Sequence, residues 1–459
     1  MAIQFKKTRL AAAVATAAVT LGLSTAANAV VVVGGDNGWE VSFDGNVNAF
    51  YNIADHDEGF SGTGWVAPVE DANGNGTFVL PGNVAATPGT DQLNTSRIQN
   101  GFLPAFFSFN VKSPTVNGMT GTARISFAPQ ISSGNTKNNG YLNSDSLLGT
   151  GGGRQGASID MREVLVNLEG GFGTASFGRT LSIFGRNAVL KDMTLFGVGG
   201  SNLQDGGTTF GRIGRGYTYP DFAARFSYKT PNLGGFQAEV GLYDPSVEQV
   251  NTQLNSVLDQ TDTPRFEAEA NYTTAFSGGS MHFWADALYQ DLETASRNAA
   301  GEATVHGWGV GAEGKYAGFS LTGYYYGGQG LGRSLQFHGG TACDALGQTC
   351  EEADNDGYYV QGMYTFNGKT KLGMSYGQST EDAFGLRTIA EGNGANERMS
   401  RDVELDMWTI GVYHDMSSWL KLVAEYSHQK NDFGENKFTG SSGAATEADI
   451  FSVGTFFFW

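Results

Sequence analysis

One pattern limits what this chain can become: polar and apolar residues alternate one by one, in segment after segment. In MTGTARISFA, residues 119–128, the polar Thr120, Thr122, Arg124 and Ser126 share one face, and Gly121, Ala123, Ile125 and Phe127 share the other. PDFAARFSYKT sets Asp221, Arg225, Ser227 and Lys229 against Phe222, Ala224, Phe226 and Tyr228. TPRFEAEANYT sets Arg265, Glu267, Glu269 and Asn271 against Phe266, Ala268, Ala270 and Tyr272. LKLVAEYSH repeats the scheme with Lys421, Glu425 and Ser427 against Leu420, Leu422, Ala424 and Tyr426. A period of two with one charged face describes strands solvated on one side only.

The connectors are of two kinds. Very short ones, SPTVNG at 113–118, EGGFG at 169–173, PNLGG at 231–235, SGGS at 277–280 and NGKT at 367–370, join strands in pairs. Long polar stretches at 54–96, 132–157, 183–218, 330–355 and 381–402 separate the pairs. This spacing predicts about sixteen strands, from WEVSFDGNVNAFY at Trp39 to the last residue, with tight turns at one end and long loops at the other. A barrel that wide cannot be filled by its own inward side chains. Turned inside out, it works: the apolar face meets lipid, the polar face lines water, and closure leaves no unpaired edge in hydrocarbon. The expected fold is therefore all-β, a transmembrane antiparallel β-barrel with short periplasmic turns and long extracellular loops.

The chain ends on IFSVGTFFFW, which fits this picture. Phe451, Val453, Phe457 and Trp459 share a face, so the last strand can meet lipid and finish in an interfacial girdle, where Tyr and Trp suit one apolar and one hydrated side. Phe456 and Phe458 break the alternation and are expected to pack on the wall or a neighbour.

The N-terminus gives the compartment. Lys6, Lys7 and Arg9 precede an apolar run from Leu10 to Leu23, and Ala27-Asn28-Ala29 offers a cleavage site. Residues 1–29 thus read as a secretory signal peptide, and 30–459 as the barrel. Cleavage would take the net charge from −18 to about −21. Glycine supplies 67 of 459 residues, about twice the usual share of roughly 7%, which favours strands and loops over helices. In an exported chain, Cys343 and Cys350 in CDALGQTC are expected to close a small disulfide loop.

With the strands placed, REVLVNLEGGFGTASFGRTLSIFGRNAVLKD, residues 162–192, resembles the strand–turn–strand passage of trimeric Gram-negative general-diffusion porins. FAARFSYKTPNLGGFQAEVGLY, residues 222–243, resembles the hairpin that follows the family's inward loop. The resemblance implies a constriction loop over about 183–218, bent into the channel, with Asp192 and Asp205 as its acids and Lys191 beside them. It implies a basic ladder on the wall carried by Arg162, with Arg97 and Arg124 as further members. Asp221 stands where another wall arginine is often found, with Arg225 nearby, and the loop itself carries Arg186, Lys191, Arg212 and Arg215. The resemblance further implies a homotrimer in outer-membrane lipid and lipopolysaccharide. It also makes the terminal aromatics Phe457 and Trp459 the signal read by the barrel-assembly machinery.

Chemical motifs are sparse. GGGRQG at 151–156 has the spacing of a dinucleotide fingerprint but no helix pattern after it, and GKT at 368–370 lacks the rest of a phosphate loop. Asn367-Gly368 reads as a hairpin turn instead. No G-x-S-x-G or H-E-x-x-H occurs, and His282 falls on the hydrated face. The acidic runs DHDE and CEEADND miss the EF-hand spacing and read as loop charges. The expectation is a non-enzymatic, water-filled channel without cofactor, metal or nucleic acid, passing small hydrophilic solutes and ions with weak cation preference. A solute-selective channel is the alternative, and an outer-membrane hydrolase or adhesin is one of another class.

Overall fold

The computed structural model describes residues 30–35, 37–57, 68–70, 76–78, 95–131, 159–200, 208–246, 258–294, 301–337, 339–343, 349–384, 401–438, 440, 442–443 and 445–459. Sixteen strands form one closed antiparallel barrel. They are β1 (Glu40–His56), β2 (Thr95–Gln99 continued by Phe106–Lys112), β3 (Thr120–Pro129), β4 (Ile159–Gly170), β5 (Gly173–Leu181), β6 (Phe222–Lys229), β7 (Phe236–Tyr243) and β8 (Arg265–Phe276). After them come β9 (Gly279–Thr294), β10 (Glu302–Tyr316), β11 (Phe319–Gln329), β12 (Asp354–Phe366), β13 (Thr370–Glu381), β14 (Val403–Asp415), β15 (Leu420–Phe433) and β16 (Ala445–Phe458). β16 pairs with β1 from Asn46↔Phe458 to His56↔Ala448, so no edge remains. A short strand, Val30–Gly34, adds to the start of β1 beside that seam.

The tight connectors are the expected hairpin turns. Asn367 and Gly368 have φ of 49° and 68°, the paired positive values of a turn whose twist matches antiparallel strands. Alternation then sorts the side chains. On β12, Tyr358 and Val360 are exposed outward while Tyr359 and Gln361 are buried inward. The outward faces hold exposed Phe, Leu, Val, Ile and Tyr on nearly every strand, which is the surface of a barrel standing in lipid. Tyr289, Trp308, Tyr325, Tyr358, Tyr376, Trp408 and Tyr426 form an aromatic belt on β9–β15 towards the loop ends. At the opposite end, the Trp459 ring lies 5.8 Å from Phe107 and 6.1 Å from Phe457.

Two irregularities depart from simple alternation, and both serve the interior. In β4, Ser126 pairs with Glu163 and Phe127 with Met161, so Arg162 is an extra residue in a bulge. A bulge re-aims a side chain, and here Arg162 and Glu163 both serve the inside. In β2, the ladder stops at Gln99 and resumes at Phe106. The intervening Asn-Gly-Phe-Leu-Pro-Ala leaves the wall, and β1 asparagines satisfy it. Asn48 Nδ2 donates to the Leu103 carbonyl at 3.0 Å and Asn46 Nδ2 to the Pro104 carbonyl at 3.2 Å.

Candidate functional site

The stretch between β5 and β6 turns into the barrel. It contains α1 (Arg186–Lys191) and a 3₁₀ turn, Met193–Phe196, and its apolar residues Ile183, Phe184, Ala188, Val198 and Tyr217 are at most 1% exposed. The β2 gap holds one side of it: Phe102 N donates to the Gly197 carbonyl at 2.8 Å and Leu103 N to the Leu195 carbonyl at 3.1 Å. Phe196 packs against Phe456 and Phe458, with ring centroids 5.8 and 6.3 Å away, and Phe456 meets Phe50 at 5.5 Å. The two phenylalanines that broke the terminal alternation therefore face inward and wedge the loop.

An acidic wall holds the other side. Glu267 on β8 accepts from the backbone N–H of Ile183 at 2.6 Å and of Phe184 at 2.9 Å through one oxygen. Glu425 on β15 does the same for Val198 and Gly199, at 2.6 and 2.9 Å, and its second oxygen accepts from Tyr413 Oη at 2.5 Å. A Cβ on Gly197 would lie 1.9 Å from Glu425 Oε1, so glycine is what lets the loop come this close. Arg186 reaches Glu239 at 2.8 Å and Glu269 at 3.1 Å. Burial opposes its charge, yet these two carboxylates hold the Arg186 guanidinium well above its ordinary range. Lys191 Nζ lies 3.0 Å from Glu313 and 5.5 Å from the Trp284 ring centroid.

The resemblance implied loop acids Asp192 and Asp205 facing wall arginines; in the described part of the loop it is the loop cations Arg186 and Lys191 that meet wall acids. Asp192 is 3% exposed and does not line water. It caps the 3₁₀ turn by accepting from Thr194 N at 3.0 Å and Thr194 Oγ1 at 2.7 Å. It also accepts from Tyr217 Oη at 2.7 Å and lies 3.8 Å from Arg212 Nε. Burial, reinforced by that carboxylate, raises the Tyr217 phenol well above its usual range. A short polar residue before a helical turn does more by satisfying its N–H groups than by facing water. Asp205 lies outside the described residues.

The wall arginines occupy several settings. Arg124 on β3 is saturated: it donates to Glu163 at 2.7 Å, to both oxygens of Asp44 at 2.9 and 3.1 Å, to Asn110 at 2.9 Å and to Ser108 at 2.8 Å. Arg162 pairs with Asp160 at 2.9 Å and donates to Tyr219 Oη at 3.0 Å. Arg97 on β2 faces inward, level with Asn52. Arg225 is buried on β6, 3.2 Å from Glu239, and donates to the Leu181 carbonyl at 2.9 Å and Tyr243 Oη at 3.0 Å. Asp221 is not a wall residue. It ends the loop with φ 50° and is exposed, and its carboxylate accepts from the next backbone N–H at 2.6 Å. Cys343 and Cys350 are disulfide-bonded at facing positions of a small hairpin between β11 and β12. Among the described residues, no group of three or more His, Cys, Asp or Glu could hold a metal ion.

A closed barrel with a loop fastened inside it is the architecture of a channel, and the family comparison decides which. The family model described as "Gram-negative porin" matches residues 11–434. The chain belongs to the Gram-negative porin family. A search of curated proteins returned no match. Among solved structures, the outer membrane channel DcaP of Acinetobacter baumannii superposes with a TM-score of 0.61 at 15% identity, over 94% of this chain and 100% of that one. The anion-selective porin from Comamonas acidovorans superposes with a TM-score of 0.51 at 14% identity, over 92% and 100%. At these identities the likeness concerns the fold. Family membership makes this porin an outer-membrane diffusion channel and not an enzyme.

Several residues that build the porin's interior escaped the sequence reading. The β2 gap was legible only as NGFLP, whose Gly and Pro argue against a continuous strand. Inward aromatics Trp284, Tyr324 and Tyr359 were masked by aromatics on both faces, as in the run Tyr324-Tyr325-Tyr326. The Trp284 and Tyr324 rings stack at 6.1 Å beside inward glycines of β10, where a Cβ on Gly311 would lie 2.1 Å from Trp284.

Proposed function

We propose that this porin is a passive pore for small hydrophilic solutes and ions with weak cation preference, working as a homotrimer in lipopolysaccharide-bearing membrane after loss of residues 1–29. Cancellation of charge inside the barrel carries this reading. Arg186 and Arg225 offset Glu239 and Glu269, Arg265 lies 3.2 Å from Glu267, and Arg162 is paired with Asp160. Arg124 is outnumbered by Asp44 and Glu163, whereas Glu313 is shared by Lys191 and Lys315, each at 3.0 Å. A lining so balanced exerts little field of its own, so ion preference falls to the entrance field of a mature chain whose overall net charge is near −21, which attracts cations. Mouth charges are screened beyond roughly 10 Å at 0.1 M salt. The preference should therefore be small and fade as salt rises.

The trimer is supported by the outward faces. The loop-end aromatic belt covers β9–β15, but β3–β5 carry Ile125, Phe127, Met161, Val164, Val166 and Phe177 there, without Tyr or Trp. Interfacial aromatics are wanted where a strand meets lipid headgroups, and their absence suits a side that meets protein.

Reversal potentials in planar bilayers under unequal KCl test the reading. A small cation-selective potential at low salt, shrinking towards zero at high salt, supports it. A strongly anion-selective pore refutes it.

A further inference from the structure

Between the inward loop and the wall lies a recess of about 130 Å³, unlike the polar lining around it. Its sides include Phe102, Phe106, Leu181, Val189, Leu195 and Phe222, all at most 6% exposed. Four polar side chains, Arg162, Thr208, Thr209 and Tyr219, interrupt them, and two of these matter most. Thr209 is 1% exposed, and its Oγ1 has no hydrogen-bond partner among the described residues. Arg162, brought inward by the β4 bulge, lies with its guanidinium carbon 5.3 Å from the Phe222 ring centroid. Its Nε is taken by Asp160 and its Nη1 by Tyr219, while Nη2 makes no hydrogen bond among the described residues.

A buried hydroxyl without a partner is costly, so Thr209 Oγ1 favours an occupant that brings a hydrogen-bonding atom as well as apolar surface. Along the apolar sides, away from Arg162, Thr208, Thr209 and Tyr219, water finds no polar neighbours and gains little. An apolar cavity of about 150 Å³ accommodates benzene, so 130 Å³ suits one six-membered ring or a short branched alkyl group. We infer that this recess binds small carboxylates with an apolar body, of the arylcarboxylate size class, with the ring against Phe102, Leu195 and Phe222 and the carboxylate on Arg162 Nη2. Apolar walls with a few placed polar groups are the usual form of such a site. Arginine is suited to the anion because its remaining donors stay charged and directed while the others are engaged.

The site rests on the channel reading, since the ligand enters from the lumen. The test uses the full porin in planar bilayers, with sodium benzoate, sodium acetate and benzyl alcohol as probes and current reduction scaled to each variant's own open current. Benzoate should block saturably and about tenfold more strongly than acetate, which lacks the ring, or benzyl alcohol, which lacks the charge. That factor is the worth of one charge-assisted hydrogen bond or one buried apolar group. Arg162→Gln should weaken benzoate block about tenfold while leaving benzyl alcohol unchanged. Val189→Phe, which fills the recess, should weaken both. Equal block by benzoate and acetate in the wild type overturns the inference whether or not the variants assemble, as does benzoate block that Val189→Phe leaves intact. Wild-type protein that conducts no KCl would count against the channel reading instead.

Discussion

Glu425 is the most informative single residue of the inner loop. It is 2% exposed, and one of its oxygens serves two adjacent backbone N–H groups while the other serves Tyr413. Glu425→Ala would leave both N–H groups without an acceptor in a place water does not reach. Each such orphan costs about 1–3 kcal/mol, so docking of the 197–199 segment weakens by about 2–6 kcal/mol. At about 1.4 kcal/mol per tenfold, even the lower figure raises the undocked population more than tenfold. Glu425→Gln keeps one oxygen for the N–H pair and turns its amide towards Tyr413 Oη, which can accept, so the loss is smaller. Single-channel recordings of the alanine variant should show added current fluctuations, with Gln close to wild type. A cysteine replacing Leu195, 4% exposed in the native loop, should react faster with a thiol reagent in the alanine background. Alanine and wild type that match in both noise and labelling would show that this carboxylate does not hold the loop.

Asp192→Ala should destabilise the inner loop by a few kcal/mol while changing selectivity little, because the carboxylate is buried on Thr194 and Tyr217; a large selectivity change in a well-assembled variant would return Asp192 to the water-lined surface. Deleting Trp459 removes both a girdle ring and the N–H that bonds the Gly45 carbonyl at 3.1 Å, so cell-surface levels should fall more than conductance per assembled channel; wild-type levels would count against an assembly role. Reducing Cys343–Cys350 should cost on the order of 2–3 kcal/mol at most, confined to its hairpin, and leave conductance unchanged; collapse of the pore on reduction would show that the hairpin props the barrel.

The barrel was legible because its physics is local and repeated. Period-two alternation names the faces, and a positive-φ pair such as Asn367-Gly368 names a hairpin without reference to anything distant. Phe451, Val453, Phe457 and Trp459 stand on the outward face as their spacing indicated. The interior was less legible because its contacts join residues far apart in the chain. Glu425 meets Val198 across 227 positions, and Gln361 meets Met193 across 168. Nothing in the spacing of a strand tells whether its inward acid faces water or caps a loop, so Glu239, Glu267, Glu269 and Glu425 were legible as inward but not as the groups that hold the loop, and Asp192 read as a water-facing acid. The Arg162 bulge was hidden for another reason: nothing in REVLV marks an extra residue until pairing with β3, which has one residue fewer, exposes it.

Liposome swelling with a graded series of neutral sugars tests the central claim most directly, since neutral solutes remove the mouth charges from the outcome. A water-filled diffusion pore gives rates that fall smoothly with solute size and rise in proportion to concentration without saturating. No swelling with the smallest sugars, or saturable uptake of one sugar out of order with its size, would contradict it.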